Sequence, residues 1–312
     1  MKTRKCKIVG YGTYLPASTI EFEGGTRYRV SKDETQLSMA VTASKRALER
    51  AGITIDEVDC IVSASAVGIQ PIPCTAALIH EQLAEGSDMP ALDINTTCTS
   101  FLTALDLMSY LVDAGRYKSV LIVSSEVGSL GLNPRQRESF ELFSDGAAAI
   151  VLSESNDATQ GVLASMQRTW SEGAHTTEIR GGLTGLLSQY YSEDNKEDYL
   201  FDMNGRAVLR IAANRLPKMV AEFAETYGIG LDDVDVIIPH QASRALDMIM
   251  QRMGAKRGTY INWVADYGNM VSVSVPFVLC KLFEDGTIQK GTKVLLCGTA
   301  AGLTANIIIM EA

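Results

Sequence analysis

Three side chains in this sequence have the types and surroundings that thioester chemistry needs. Cys98 stands in Asn95-Thr96-Thr97-Cys98-Thr99-Ser100-Phe101, between a short apolar run and a long helical pattern. His240 ends the run Val236-Ile237-Ile238-Pro239 and precedes Gln241-Ala242-Ser243-Arg244. Asn269 lies in Tyr267-Gly268-Asn269-Met270, 171 residues after Cys98. A thiol at a helix start is expected to be acidified by the N–H groups of the first turn, and the thiolate is the nucleophilic form. A histidine at the carboxyl end of a strand sits where α/β proteins place reactive groups. An asparagine at a helix start caps the helix and can also serve as a donor. Gly298-Thr299-Ala300-Ala301-Gly302 follows a further apolar run. Small residues let a substrate approach backbone N–H groups closely, which suits an oxyanion hole. No Lys-Ser or Lys-Thr follows, so a nucleotide-binding P-loop is excluded.

The elements that must position these groups repeat. Gly52-Ile53-Thr54-Ile55-Asp56-Glu57-Val58-Asp59-Cys60-Ile61-Val62 returns as Gly228-Ile229-Gly230-Leu231-Asp232-Asp233-Val234-Asp235-Val236-Ile237-Ile238. Cys98 to Gly115 and Asn269 to Gly286 both read as a helix ending in an acidic residue and glycine, followed by an apolar strand. Continuous apolar runs at 61–62, 120–123, 148–152, 236–238, 294–296 and 306–309 suit strands buried on both faces. Helical patterns alternate with them at 37–51, 75–83, 101–114, 208–227, 244–253 and 273–283. The sequence therefore predicts two similar α/β halves, residues 1–165 and 166–312, each with a mixed sheet covered by helices. Pseudo-twofold packing would set Asn269 opposite Cys98.

Composition narrows the class. The chain has 312 residues, 46% hydrophobic and 21% charged, enough for a large core. A net charge of −9 without basic runs argues against nucleic-acid binding. No apolar stretch reaches the ~20 residues that a membrane helix requires. The basic opening Met1 to Lys7 is followed by Ile8-Val9-Gly10-Tyr11-Gly12, too short and glycine-broken for a signal segment, so it reads as a first strand. Six cysteines without CxxC spacing suit reduced cytoplasmic thiols and suggest no metal site.

Together, Gly10 to Pro16, the Cys98 segment, Phe143-Ser144-Asp145-Gly146-Ala147-Ala148-Ala149, Pro239-His240-Gln241-Ala242, Tyr267-Gly268-Asn269-Met270 and Gly298 to Gly302 resemble the β-ketoacyl-[acyl carrier protein] synthase III family of the thiolase superfamily. The resemblance runs over nearly the whole chain. It implies a thiolase-like fold of two duplicated α/β halves layered α-β-α-β-α, acting as a homodimer with no bound cofactor. It implies that Cys98 takes an acyl group from acyl-CoA or an acyl carrier protein, with the N–H groups of Cys98 and Ala301 holding the oxyanion. His240 and Asn269 would then stabilise the enolate formed from a malonyl thioester as CO₂ departs. Ile72 stands where the family places a bulky residue reaching the partner's acyl tunnel, and Glu126 where members often carry an acid. Arg244, Arg252, Lys256 and Arg257 follow His240, and such charges would attract an acidic carrier protein or the phosphates of CoA.

The sequence departs from the family at Thr97 and Thr99, at Ser243, and at Thr299-Ala300-Ala301, where glycines are usual. It also lacks a tryptophan in Ile20 to Arg29, where the family clamps adenine. This last departure implies a weaker dependence on CoA. The alternatives are acyl transfer from Cys98 to an alcohol or amine, and a non-catalytic partner subunit of another synthase.

Overall fold

The structure, a computed structural model, describes residues 3–312, so Met1 and Lys2 of the basic opening lie outside the described residues. Apolar runs punctuated by glycine become strands and helices in alternation. β1 (Arg4–Tyr14) leads into a hairpin of β2 (Ser18–Phe22) and β3 (Gly25–Arg29). Then come α1 (Gln36–Ala51), β4 (Cys60–Ser63), α2 (Thr75–Leu83), β5 (Ala91–Asp93), α3 (Ser100–Asp113), β6 (Ser119–Glu126), the single turn α4 (Arg137–Phe140) and β7 (Gly146–Glu154). After β8 (Gly161–Thr169), a small ladder of β9 (Thr177–Glu178) and β10 (Asp202–Met203) precedes α5 (Gly205–Tyr227). β11 (Val236–Pro239), α6 (Leu246–Arg252), α7 (Val264–Tyr267), α8 (Ser274–Glu284), β12 (Lys293–Ala300) and β13 (Thr304–Glu311) complete the described chain.

Nine strands form one sheet in the order β11-β12-β13-β8-β1-β7-β6-β4-β5. Its two parts join where Arg4 and Lys5 of β1 pair with Val162 and Gly161 of β8. Each part repeats the other: β4–β6 and β11–β12 are parallel, while β6–β7, β12–β13, β1–β7 and β8–β13 are antiparallel. The counterpart of β5 is reduced to a single bridge, Ile237 to Tyr260. The repeat extends to hydrogen bonds. Asp59 Oδ2 accepts from the N–H of Ser119 at 3.0 Å, and Asp235 Oδ2 accepts from the N–H of Lys293 at 2.8 Å. Gly52 and Gly228 close α1 and α5 at φ 67° and 66°, the left-handed conformation glycine adopts without a Cβ penalty.

The elements stack in five layers. α3 and α8 lie between the two parts of the sheet, in one core with Val62, Ile122 and Ile150 from one side and Ile238, Leu296 and Ile308 from the other. Phe101 and Phe277, both fully buried there, each contribute about 1.5–3 kcal/mol of burial. α1 covers the outer face of the first part, and α5 with α6 that of the second. Every residue of β6 is buried, as its continuous apolar run requires.

The expected division at residue 165 falls inside β8, which pairs with β13 from Gly161 onward and so belongs wholly to the second set of strands. The helix expected at 244–253 is shorter, Leu246–Arg252, because the Ser243 hydroxyl accepts the N–H of Ala245 and holds the preceding residues in a turn. No helix among the described residues is long and apolar enough to cross a membrane.

Candidate active site

Cys98 lies on a 3₁₀ turn, Thr97–Thr99, that runs straight into α3. Thr97 has φ 52°, which a β-branched residue rarely adopts. Two hydrogen bonds hold it there: Asn95 Oδ1 accepts the N–H of Thr97 at 2.8 Å, and Ser100 Oγ accepts the N–H of Thr96 at 3.0 Å. The turn of half-buried Cys98 presents its sulfur, which points inward, to two backbone donors, its own N–H and that of Ala301 just after β12. These are the two groups expected to hold an oxyanion.

The acidified thiol expected from the helix start is not found. Burial pushes the Cys98 thiol up to about 12, and the charge of Glu126 adds to the rise; the two N–H groups act in the opposite direction but are outweighed.

His240 follows β11 directly, is 4% exposed, and is anchored by its N–H to the Cys297 carbonyl at 2.7 Å. Burial pushes its imidazole down to about 4, so the ring is neutral near pH 7. Its Nδ1 is buried without a protein partner. Gly298 of β12 lies directly beside it, with the side chains of Thr99 and Leu102 next nearest. Asn269, also 4% exposed, accepts the N–H of Val271 through Oδ1 at 2.8 Å. Its Nδ2 donates to the carbonyl of Ala242, two residues past His240, at 3.3 Å. That bond is long, leaving the amide free to turn a proton toward a better acceptor. Cys98, His240 and Asn269 are thus tied into one region by Ala301, Gly298 and Ala242.

One expectation is corrected. Asn269 is not the symmetry mate of Cys98. Asn95 and Asn269 play the same part: each accepts an N–H two residues on, and each donates Nδ2 to an alanine carbonyl, Ala66 or Ala242. Thr97 at φ 52° answers to Val271 at φ 53°, and Ser100 to Ser274, which accepts the N–H of Met270. The mate of Cys98 is therefore Ser272. The sequence misled because α8 has 11 residues where α3 has 14, and matching the helix ends slides the second turn by three.

Glu126 ends β6 and is 1% exposed. Its carboxylate accepts the N–H of Ala66 and the hydroxyl of Ser272. Burial pushes it up to about 7 despite these bonds. The pair Glu126–Ser272 was missed as a unit, although Asn-x-x-Cys-x-Ser at 95–100 against Asn-x-x-Ser-x-Ser at 269–274 carries the signal.

The remaining expected residues are dispersed. Ile72 is 85% exposed on the loop between β4 and α2. Arg244 lies against Gly24 of the β2–β3 hairpin and pairs with Glu141 at 3.5 Å. Arg252 donates to the carbonyl of Ala213 on α5 at 3.2 Å, and Lys256 pairs with Asp232 at 2.6 Å. Arg257 is exposed. The four share no partner. The short hairpin instead buries Arg27, whose guanidinium is capped by the carbonyls of Gly24, Thr26, Glu141 and Ala265.

Two family models match the chain: 3-Oxoacyl-[acyl-carrier-protein (ACP)] synthase III over residues 92–170, and the C-terminal part of 3-Oxoacyl-[acyl-carrier-protein (ACP)] synthase III over residues 224–312. The beta-ketoacyl-[acyl-carrier-protein] synthase III of Clostridium perfringens strain SM101 is 32% identical, covering 98% of each chain. The crystal structure of the 3-oxoacyl-[acyl-carrier-protein] synthase III of Aquifex aeolicus superposes with a TM-score of 0.86 at 25% identity, covering 98% of this chain and 100% of that one. The priming beta-ketosynthase of the R1128 polyketide pathway gives 0.86 at 25% identity, covering 99% and 97%. The chain belongs to the beta-ketoacyl-[acyl-carrier-protein] synthase III family and is an acyl-transferring enzyme of the thiolase-like fold.

Proposed function

We propose that this protein is a 3-oxoacyl synthase in which an acyl group passes from a thioester to Cys98 and is then condensed with a malonyl thioester. One observation carries the reading: the Cys98 sulfur rests between the N–H groups of Cys98 and Ala301, one from each half. Such a pair can hold the oxygen of a tetrahedral intermediate on that sulfur. In the first step the Cys98 sulfur bonds the acyl carbon, the donor's C–S bond breaks, and the thiol proton leaves with the departing sulfur. In the second, the carboxylate C–C bond of the malonyl thioester breaks and CO₂ leaves its electron pair as an enolate. A neutral His240 and Asn269 can each donate one hydrogen bond to the enolate oxygen without transferring a proton. The enolate carbon then bonds the acyl carbon and expels Cys98 as a thiolate, which takes a proton from water to restore the thiol.

The reaction as written needs no bound cofactor. Further parts of the reading rest on single features. Exposed Ile72 supports a homodimer whose partner covers it and uses it in the acyl pocket. Arg244, Arg252, Lys256 and Arg257, though dispersed, are all exposed cations and so support a carrier-protein or CoA donor, and six unpaired cysteines support a cytoplasmic site. Glu126 acts here as a buried acceptor, not as a general base.

The test is a panel of acyl-CoA and acyl-carrier donors with intact-mass detection, followed by malonyl thioester and measurement of CO₂. An acyl adduct lost in Cys98→Ala and one CO₂ per 3-oxoacyl product support the proposal. No adduct with any donor, or product formed on an alcohol or amine without CO₂, would overturn it.

A further inference from the structure

The second half holds a copy of the Cys98 turn, and the copy is filled. Ser272 occupies the place of the nucleophile, after a residue at φ 53° and before α8, as Cys98 stands after a residue at φ 52° and before α3. In the first turn the sulfur meets its own N–H and an N–H from just after β12. In the second, the N–H of Ser272 and its hydroxyl both point at the carboxylate of Glu126, at the end of β6. The N–H groups of Ala66 and Val67 complete the cage. The turns Thr97–Thr99 and Val271–Val273 pack on each other, which brings this carboxylate close enough for its charge to act on the Cys98 sulfur.

We infer that Glu126 is a positioning residue for both halves of the site: it clamps the turn that carries Asn269 onto the turn that carries Cys98, with its carboxylate on the Cys98 side of that contact. The clamp is geometric. Asn269 holds the N–H of Val271, and Ser272 beside it is fixed to β6 by Glu126, so the Asn269 amide is referenced to the half that carries Cys98. The same carboxylate restrains the Cys98 thiol electrostatically. The groups that meet Glu126 are Ser272 from the second turn and the backbone of Ala66 and Val67 after β4, and the Cys98 thiol of the first turn lies within reach of its charge. Glu126 is the charge acting on that thiol, and His240, the other titratable group of the site, is neutral. A restrained thiol keeps its proton until a thioester carbonyl enters, and the proton then accompanies the leaving sulfur.

The inference rests on Cys98 as the acyl acceptor, so its test avoids turnover. Alkylation of Cys98 by iodoacetamide is followed by peptide mass between pH 6 and 10 in wild type, Glu126→Gln and Ser272→Ala. The Gln amide oxygen can still accept from Ser272 and Ala66, but its NH2 cannot accept the Val67 and Ser272 N–H groups, so a thermal melt of the variant accompanies the alkylation series. We expect Glu126→Gln to move the alkylation profile down by about one pH unit, roughly tenfold faster at pH 8. Ser272→Ala weakens the hold on the ionised carboxylate and should move the profile the same way by less. Superimposable profiles in the folded variants would overturn the inference while leaving a wild-type acyl adduct intact. If Glu126→Gln does not fold, Ser272→Ala alone decides, since it keeps every backbone donor.

Discussion

Gly298 and His240 are in contact in a way that only glycine permits: a Cβ at position 298 would come within 2.9 Å of the His240 Cβ. The same atom would stand 3.4 Å from Thr99 Cγ2, on the turn that carries Cys98. One missing methyl group thus allows β12, β11 and the Cys98 turn to meet.

Gly298→Ala should therefore move His240, Cys98 or both. A displacement near 1 Å in a preorganised site costs on the order of 10²-fold in rate. We expect CO₂ release from malonyl thioester to fall by roughly that factor, with overpacking also costing about 1–3 kcal/mol of stability. Steady-state kinetics beside a thermal melt check this, and a variant with full activity would remove the steric argument.

Asn269→Asp should separate the two half-reactions. The aspartate keeps an oxygen for the N–H of Val271, but its other oxygen would face the Ala242 carbonyl and any enolate with negative charge. Intact mass should still show acyl-Cys98. Condensation should fall by more than about 10²-fold, the scale of losing one such donor. Loss of the adduct itself would place Asn269 in the first step instead.

The pH dependence of stability follows from two buried groups with opposite signs. His240 is depressed to about 4, so the stability it carries is present above its ordinary value of 6.5 and is lost as pH falls toward 4. Glu126 is raised to about 7, so its contribution is present below 4.5 and is lost as pH rises through 7. Replacing the carboxylate removes only the second dependence. The stability of Glu126→Gln relative to wild type should therefore increase between pH 5 and pH 8, by about 3 kcal/mol at most. Denaturant melts at the two pH values measure it, and a constant difference would show that Glu126 titrates normally.

Ile72→Phe should shorten the longest acyl chain accepted, if the partner subunit surrounds position 72 as proposed. Ile72→Asp should weaken self-association, because an exposed isoleucine buried by a second copy does not tolerate a charge. A donor panel and sedimentation velocity read the two effects. Unchanged chain length with unchanged association would return Ile72 to a plain exposed loop.

The sequence by itself determined the α/β class and most strands and helices, and it singled out Cys98, His240 and Asn269 as candidates. It could do so because strands buried on both faces must be apolar throughout, and because glycines at 52, 228, 115 and 286 mark helix ends by their backbone freedom. Only the tertiary structure decided how the halves are matched and what the site does to its nucleophile. Helix length is free to vary at a loop, so α8 lost three residues relative to α3 and hid the pairing of Cys98 with Ser272. The thiol's acidity was also out of reach. A helix start in sequence argues for a lowered value, but burial and the charge of Glu126, brought in from 28 positions away, dominate. Desolvation and through-space charge depend on which elements pack together, and local sequence does not encode them.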